Sequence, residues 1–289
     1  MSISWGTEQS ASVSGYGLNT YYGWRTDFHK NTAIISNIGA NLTNSNGNSF
    51  SGVGEVSVFN RSGAGQAWSL VASLRPDESD YVDSLRFGNS IGIHNKYVVV
   101  GNNKSACNYV YVFKGDSSNS YTKIAKLTPQ TDVSGGYFGR HVSINGNYII
   151  ASDHEDYSIY VFKNDGSDGF SQIAKLTESS NSAPLGNHGV YFDGTTLGAI
   201  ADTEAYFWRI NSDDTFTYKT SVTLGSTPAA IVGKFIIDGD LFIAFNWAQG
   251  SYGKVWIYKS NSDGSSWTLK KHLLLIRVLI MTLHYIIII

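Results

Sequence analysis

Residues 137–152 read Tyr137-Phe138-Gly139-Arg140-His141-Val142-Ser143-Ile144-Asn145-Gly146-Asn147-Tyr148-Ile149-Ile150-Ala151-Ser152. This stretch decides the fold, because the chain up to about residue 271 consists of diverged copies of it. An aromatic or large apolar residue followed by Gly marks each copy. The five pairs are Tyr22-Gly23, Phe87-Gly88, Phe138-Gly139, Leu185-Gly186 and Val232-Gly233, with spacings of 65, 51, 47 and 47 residues. Repeats of this length are typical of solenoids and propellers.

Each copy predicts four short strands, A to D. Strand A follows the aromatic–Gly pair and ends in a tight turn such as Asn145-Gly146, which suits a two-residue hairpin. Strand B is a nearly continuous apolar run, as in 148–151, which predicts burial on both faces. Strand D alternates, as in 173–176, so only one of its faces is apolar.

Four-stranded units at this period predict an all-β fold, a β-propeller of four-stranded antiparallel blades with five readable units. The units begin near residues 22, 87, 138, 185 and 232, and the predicted propeller domain covers residues 1–271. Residues 1–15 include a segment that could serve as the closing outer strand of the last blade.

The pattern resembles the FG-GAP repeat of integrin α subunits and of many surface proteins. Residues 87–127 and 138–176 carry it best, since each joins Phe-Gly to a Val-Phe-Lys strand and an Ala-Lys-Leu strand. This resemblance implies an integrin-like adhesion or surface protein, at a cell or virion surface. It does not carry a calcium site across, because 145–147 is too short to supply six to eight oxygen ligands.

Composition excludes several classes of function. Charged residues make up only 15% of the chain, the net charge is −2, and no basic cluster stands out, so nucleic-acid binding is not expected. The single Cys107 excludes an intrachain disulfide framework. Residues 1–8 do not read as a secretory signal peptide, and the sequence leaves the compartment undetermined.

The tail, residues 272–289, breaks the repeat and is almost entirely apolar. It has three interpretations: a C-terminal membrane anchor flanked by Lys270 and Lys271, the product of a frameshift, or a buried final strand. A membrane partner is expected only if the tail is an anchor. The 17 residues from Leu273 to Ile289 are near the lower limit for a span, and they include Arg277 and His284.

Ionisable residues give few chemical motifs. Asp153 to Asp156 form the densest cluster, which could bind a divalent ion or act as acid and base, although a solvated loop is the favoured interpretation. Zinc, nucleophile-elbow and phosphate-loop motifs are missing from the sequence, and neither a metal nor a cofactor is predicted. His141 and His188 occupy equivalent positions in two copies, which favours blade packing.

Loop aromatics are the main candidates for ligand binding. Asn246, Trp247 and Tyr252 lie in the loop between strands B and C of the fifth unit, and Trp24 follows the first pair. A Trp beside amide side chains offers a stacking surface with hydrogen bonds, as sugar or protein recognition requires. Packing of these rings under a neighbouring loop is the alternative. The predicted ligand-binding set is Trp247, Asn246, Tyr252, Trp24, Asp153 and His154.

These observations predict a non-catalytic recognition or adhesion module, not an enzyme, that binds a glycan or protein ligand. Its predicted contact surface comprises the B–C loops, residues 37–53, 102–108, 153–157, 202–204 and 246–253. One alternative is a glycosidase-like propeller hydrolase that uses the channel carboxylates Asp27, Asp153 and Asp202. The other is a purely structural surface protein.

Overall fold

A computed structural model describes residues 21–105, 107–131, 135–178, 184–224, 235–246 and 252–276. It contains five four-stranded antiparallel sheets, one for each sequence repeat, and in every sheet the strands follow chain order. We number these sheets as blades 1 to 5.

The strands of blade 1 are β1 (Tyr22–His29), β2 (Thr32–Asn37), β5 (Glu55–Asn60) and β6 (Ser69–Leu74), with a two-stranded hairpin of β3 (Leu42–Thr43) and β4 (Ser49–Phe50) in its B–C loop. Those of blade 2 are β7 (Ile91–His94), β8 (Tyr97–Val100), β9 (Val110–Gly115) and β10 (Tyr121–Leu127). Those of blade 3 are β11 (Val142–Asn145), β12 (Tyr148–Asp153), β13 (Ser158–Asn164) and β14 (Phe170–Leu176). Those of blade 4 are β15 (Gly189–Phe192), β16 (Thr196–Ala201), β17 (Glu204–Ile210) and β18 (Phe216–Thr223). Those of blade 5 are β19 (Phe235–Asp238), β20 (Leu241–Asn246), β21 (Tyr252–Ser260) and β22 (Trp267–Ile276). A short 3-10 helix, Glu78–Asp80, joins blades 1 and 2.

The first strand of each blade is the inner strand. β1 contacts β7, β7 contacts β11, β11 contacts β15, and β15 contacts β19. Blades that succeed one another through their inner strands form a β-propeller, so the predicted fold class is confirmed.

Burial follows the predicted pattern. Every residue of β16 is buried, whereas β14 alternates between exposed and half-buried positions before it ends at the buried Leu176. The core consists of clusters that adjacent blades share. Phe138 is fully buried and contacts Tyr160 and Phe162 edge-to-face, with ring centroids 5.4 and 6.0 Å apart.

The Gly of the aromatic–Gly pair lets neighbouring blades approach closely. Gly139 has φ = 86°, a conformation that L side chains rarely adopt. A Cβ at Gly139 would lie 2.7 Å from Cγ2 of Val110 and 3.0 Å from the carbonyl oxygen of Tyr109, both in blade 2. The pair is therefore an element of blade packing.

A register shift interrupts the pairing of the third and fourth strands in all five blades. In blade 3 it falls between Val161 and Phe162, and in blade 4 between Phe207 and Trp208. The corresponding shifts in the other blades lie at Val58/Phe59, Lys123/Ala125 and Ile257/Tyr258. Bulges of this kind increase strand twist, and the sequence pattern does not predict them.

The last described strand, β22, continues to Ile276, so residues 272–276 pair with β21 as an outer strand. The possible closing strand at 1–15 and the tail beyond Ile276 lie outside the described residues. Within the described ranges, no helix has both the length and the apolar character needed to cross a membrane.

Candidate functional site

Two arginines and three histidines gather where the inner strands begin. We call Arg25, Arg140, His141, His154 and His188 the imidazole–arginine cluster. Because the strands are antiparallel, the start of the first strand and the end of the second lie at the same edge of a blade. The charges of Arg25 and Arg140 and the ring of His188 all act on His141, which places these residues together across blades 1, 3 and 4.

His141 is buried and lies between two blades. Its Nε2 is 3.1 Å from the carbonyl oxygen of Asn187, so Nε2 carries the proton that it donates to that carbonyl. Burial, followed by the charges of Arg25 and Arg140, lowers the pKa of His141 well below its ordinary value. This imidazole is therefore neutral at physiological pH.

His154 accepts a hydrogen bond from Arg140. The Nη1 of Arg140 is 3.0 Å from Nε2 of His154, and a guanidinium can only donate. Burial, and then the charge of Arg140, lowers the pKa of His154 to about 4. Glu155 Oε1 lies 3.3 Å from the same nitrogen, but with His154 neutral this contact is not an ion pair at neutral pH. The interaction fixes the position of the Arg140 guanidinium.

His188 lies beside a carboxylate. Its Nε2 is 3.9 Å from Oδ1 of Asp202, too far for a direct hydrogen bond but close enough for the charge to act on the ring. Burial lowers the pKa of His188, and Asp202 opposes this effect. A neutral imidazole next to a half-exposed carboxylate can accept a proton from water, because the carboxylate stabilises the resulting cation.

Arg25 brings a positive charge that lacks a carboxylate partner in the described part of the chain. Its side chain is partly buried, and its guanidinium carbon lies 5.4 Å from the ring centroid of Trp24. Burial lowers the pKa of Arg25, but an arginine side chain remains charged. Arg25 therefore favours a nearby anion, whereas the charge of Glu155 also acts on Arg140.

The three carboxylates proposed for a glycosidase have separate partners. Asp27 Oδ2 accepts a hydrogen bond from the backbone N–H of Ile93, 2.9 Å away, and so links two inner strands. Asp153 is fully buried, its Oδ1 accepts backbone hydrogen bonds, and burial raises its pKa. Asp202 faces His188. These partners differ from one carboxylate to the next, so the geometry does not single out a converging pair.

The predicted ligand-binding residues are dispersed. Trp24 is 43% exposed, contacts Tyr21 edge-to-face, and lines a cleft of about 240 Å³ together with Arg86. His154 belongs to the imidazole–arginine cluster, whereas Asp153 beneath it is fully buried. Asn246 ends β20 and Tyr252 begins β21, but their side chains, like the whole of Trp247, lie outside the described residues.

Sequence reasoning assigned His141 and His188 to packing alone. Both follow the aromatic–Gly position at the same distance as Arg25, and this shared offset is the signal that could have identified the cluster. The described residues contain no group of three or more His, Cys, Asp or Glu side chains that could hold a metal ion.

Comparison with known proteins supports the fold and corrects the predicted family. No protein-family model matches this chain, and a search of curated proteins gives no match either. Among solved structures, a candidate 6-phosphogluconolactonase from Bacteroides uniformis is similar, with a TM-score of 0.58 and 11% identity over 84% of this chain and 68% of that one. A second candidate 6-phosphogluconolactonase, from Bacteroides fragilis, has a TM-score of 0.53 and 15% identity over 82% and 71% of the two chains. Hsv2 from Kluyveromyces lactis has a TM-score of 0.53 and 10% identity over 86% and 73%.

These findings overturn the resemblance to FG-GAP, integrin-like repeats. The similar structures are lactonase-like and Hsv2 propellers. The physical reason is that an aromatic–Gly pair serves blade packing, as Gly139 and Phe138 do here, and does not identify one family of propellers. The predictions of a non-catalytic adhesion module and of no enzymatic activity are contradicted too, since similar propellers are named as lactonases.

Proposed function

We propose that this chain is a propeller hydrolase that opens the ring of a sugar-acid lactone at the imidazole–arginine cluster. The observation that carries the proposal is the juxtaposition of neutral histidines with two arginine charges across three blades. The names of similar propellers supply the substrate class.

Hydrolysis of a lactone needs a base for water and a positive group for the carbonyl oxygen. His188, beside Asp202, is the proposed base: it takes a proton from water as the water oxygen bonds to the carbonyl carbon. Arg140 is the proposed donor to the oxyanion that then forms, and His154 holds its guanidinium in place. When the ring C–O bond breaks, the imidazolium of His188 returns its proton to the departing alkoxide, and the product is an open-chain hydroxy acid.

Arg25 suits the anionic part of a substrate or product. Its charge is not neutralised by a described carboxylate, and a guanidinium binds carboxylate or phosphate through two parallel hydrogen bonds. The cluster therefore divides into a base, an oxyanion donor and an anion-binding arginine.

Glucono-δ-lactone and its 6-phosphate are the substrates for the first assay, measured against spontaneous ring opening. We expect the purified full chain to accelerate the reaction and His188→Asn to lower kcat by about 100-fold or more, the typical contribution of a general base. Arg140→Gln should lower kcat by about 100-fold, as loss of an oxyanion donor does.

His94→Asn is the matched control, because His94 ends an inner strand at the edge opposite the cluster. It should leave kcat unchanged. Failure of the wild-type chain to exceed the spontaneous rate with either lactone, or full activity in His188→Asn, would overturn the proposal.

A further inference from the structure

Four cationic side chains line a cleft at the end of the molecule opposite the imidazole–arginine cluster. The cleft has a volume of about 700 Å³ and lies where the first hairpin turns of blades 1 and 2 meet. Its cations are Lys30, Arg61, Lys96 and Lys114, and its described lining contains no carboxylate. We call this surface the basic cleft.

Three of the four charges lack a carboxylate partner in the described part of the chain. Lys114 forms an ion pair with Asp168, with its Nζ 2.6 Å from Oδ2, and is thereby neutralised. Lys30, Arg61 and Lys96 form no such pair. The carboxylate of Asp116 lies close enough to Lys96 for the two charges to interact. The excess of positive charge at the cleft therefore comes mainly from Lys30 and Arg61, in a chain whose net charge is −2.

The backbone beneath these cations is held in place. The backbone N–H of Arg61 donates to the carbonyl of Asn31 at 3.0 Å, and that of Gly115 donates to the carbonyl of Lys96 at 2.8 Å. The guanidinium of Arg61 is also fixed, since its Nε donates to Oδ1 of Asn31 at 3.3 Å and its carbon lies 4.7 Å from the ring centroid of Trp68. A ligand would therefore meet an arginine that is already positioned.

The polar side chains of the lining add hydrogen-bonding groups beside the cations. Asn95 and Asn31 present amides to the cleft. His29 also lines it, and Nε2 of this ring is buried without a hydrogen-bond partner. The amide of Asn95 forms a hydrogen bond with the same ring, so His29 and Asn95 together form one polar wall of the cleft.

We propose that the basic cleft binds a phosphorylated small molecule of about mononucleotide size. A phosphate group offers two negative charges and several acceptor oxygens to a fixed guanidinium and two lysines. The volume lies within the range of small-molecule sites. The site is separate from the proposed hydrolase cluster, because the two lie at opposite ends of the inner strands.

Calorimetric titration of the full chain with inorganic phosphate, pyrophosphate and AMP tests this proposal, at low and at high ionic strength. We expect one site per chain, tighter for pyrophosphate or AMP than for phosphate, and weaker at high salt. The double variant Lys30→Gln/Lys96→Gln should weaken binding by about tenfold or more, which corresponds to about 1.4 kcal/mol.

Lys259→Gln is the control, because Lys259 lies beside the first hairpin turn of blade 5 but is paired with Asp240 of that turn. It should leave the affinity unchanged, and circular dichroism should show all variants folded. The double variant should retain any lactone hydrolysis, so failure of one proposal does not imply failure of the other. Absence of binding for all three probes, unchanged affinity in the double variant, or loss of binding in Arg140→Gln instead would overturn the proposal.

Discussion

Individual histidines of the imidazole–arginine cluster couple folding to pH. Burial depresses the pKa of His141, His154 and His188 below the value of about 6.5 that an unfolded chain shows. Below pH 6.5 the unfolded state therefore binds more protons than the folded state, so stability falls as pH falls. For His154, whose pKa is about 4, this loss extends from pH 6.5 down to about 4.

We expect the free energy of unfolding to decrease as the pH falls below about 6.5, and the contribution of His154 to approach about 1.4 kcal/mol per pH unit between pH 6 and pH 4. Urea denaturation at a series of pH values measures this slope. Replacing His154 by Asn removes one titrating group, so His154→Asn should show a shallower slope than the wild-type chain. Equal slopes in both proteins would contradict the assignment of His154 as a buried neutral imidazole.

The same depressed pKa affects the proposed reaction. If His188 is the base, it must be neutral, and its pKa lies below the ordinary histidine value. We expect kcat/KM for lactone opening to fall on the acid side with a midpoint below about pH 6.5. Asp202→Asn removes a charge that raises this pKa, so the midpoint should move further toward acid. An acid limb that stays in place in Asp202→Asn would exclude His188 as the group that titrates.

Alanine substitutions at two glycines with positive φ distinguish the cost of backbone strain from the cost of overpacking. Gly146 has φ = 57° and open space around its Cα, whereas Gly139 has φ = 86° and a Cβ added there would lie 2.7 Å from the second blade. Gly146→Ala should cost about 1 kcal/mol, for backbone strain alone. Gly139→Ala should cost about 2–5 kcal/mol, because overpacking adds to the strain. Urea denaturation compares the two, and equal costs would contradict a packing role for Gly139.

At the scale of elements, hairpin turns of blades 3 and 4 tie each of these blades to the preceding one. Asp168, in the turn after β13, accepts hydrogen bonds from Tyr97 and Lys114 of blade 2. Asp214, in the turn after β17, accepts from Tyr148 and Lys163 of blade 3 in the same way. Repetition of this arrangement in two successive blades indicates an inter-blade tie.

We expect Asp214→Asn to lower the melting temperature, because Tyr148 and Lys163 both lose a charged acceptor. Asp240→Asn is the control: its carboxylate and Lys259 are about half exposed, and they pair within one blade. A double-mutant cycle with Lys163→Gln should give a non-zero coupling for Asp214. Additive effects would mean that the contact contributes nothing to stability.

The strand pattern was predictable because it depends on local periodicity. The apolar run at 148–151 and the alternation at 173–176 specify strands regardless of what packs against them. The cluster was not predictable in this way, since His141 and Arg25 meet only when separate blades come together. His141 also shows that the packing interpretation was incomplete: its Nε2 ties two blades, and the charges of two arginines act on its ring.

At the scale of the whole molecule, the core belongs to pairs of blades. Val99, Val110 and Val112 of blade 2 form one buried cluster with Phe138 and Tyr160 of blade 3. A blade on its own would expose both of its faces, so its stability depends on its neighbours. We therefore expect a substitution that weakens one interface between blades to lower the stability of the blades on both sides of it.

Phe138→Ala tests this prediction. Removal of this fully buried ring leaves a cavity between blades 2 and 3 and should cost about 3–5 kcal/mol. We expect one unfolding transition at a lower denaturant concentration, with circular dichroism and tryptophan fluorescence coincident, because the blades on both sides share the lost packing. Leu70→Ala, at a position 46% exposed, is the control and should change the midpoint little. Two separated transitions in Phe138→Ala would contradict this prediction, because they would mean that the blades flanking the interface unfold independently. In that case the cavity would destabilise one unfolding unit, and the other unit would keep its original midpoint.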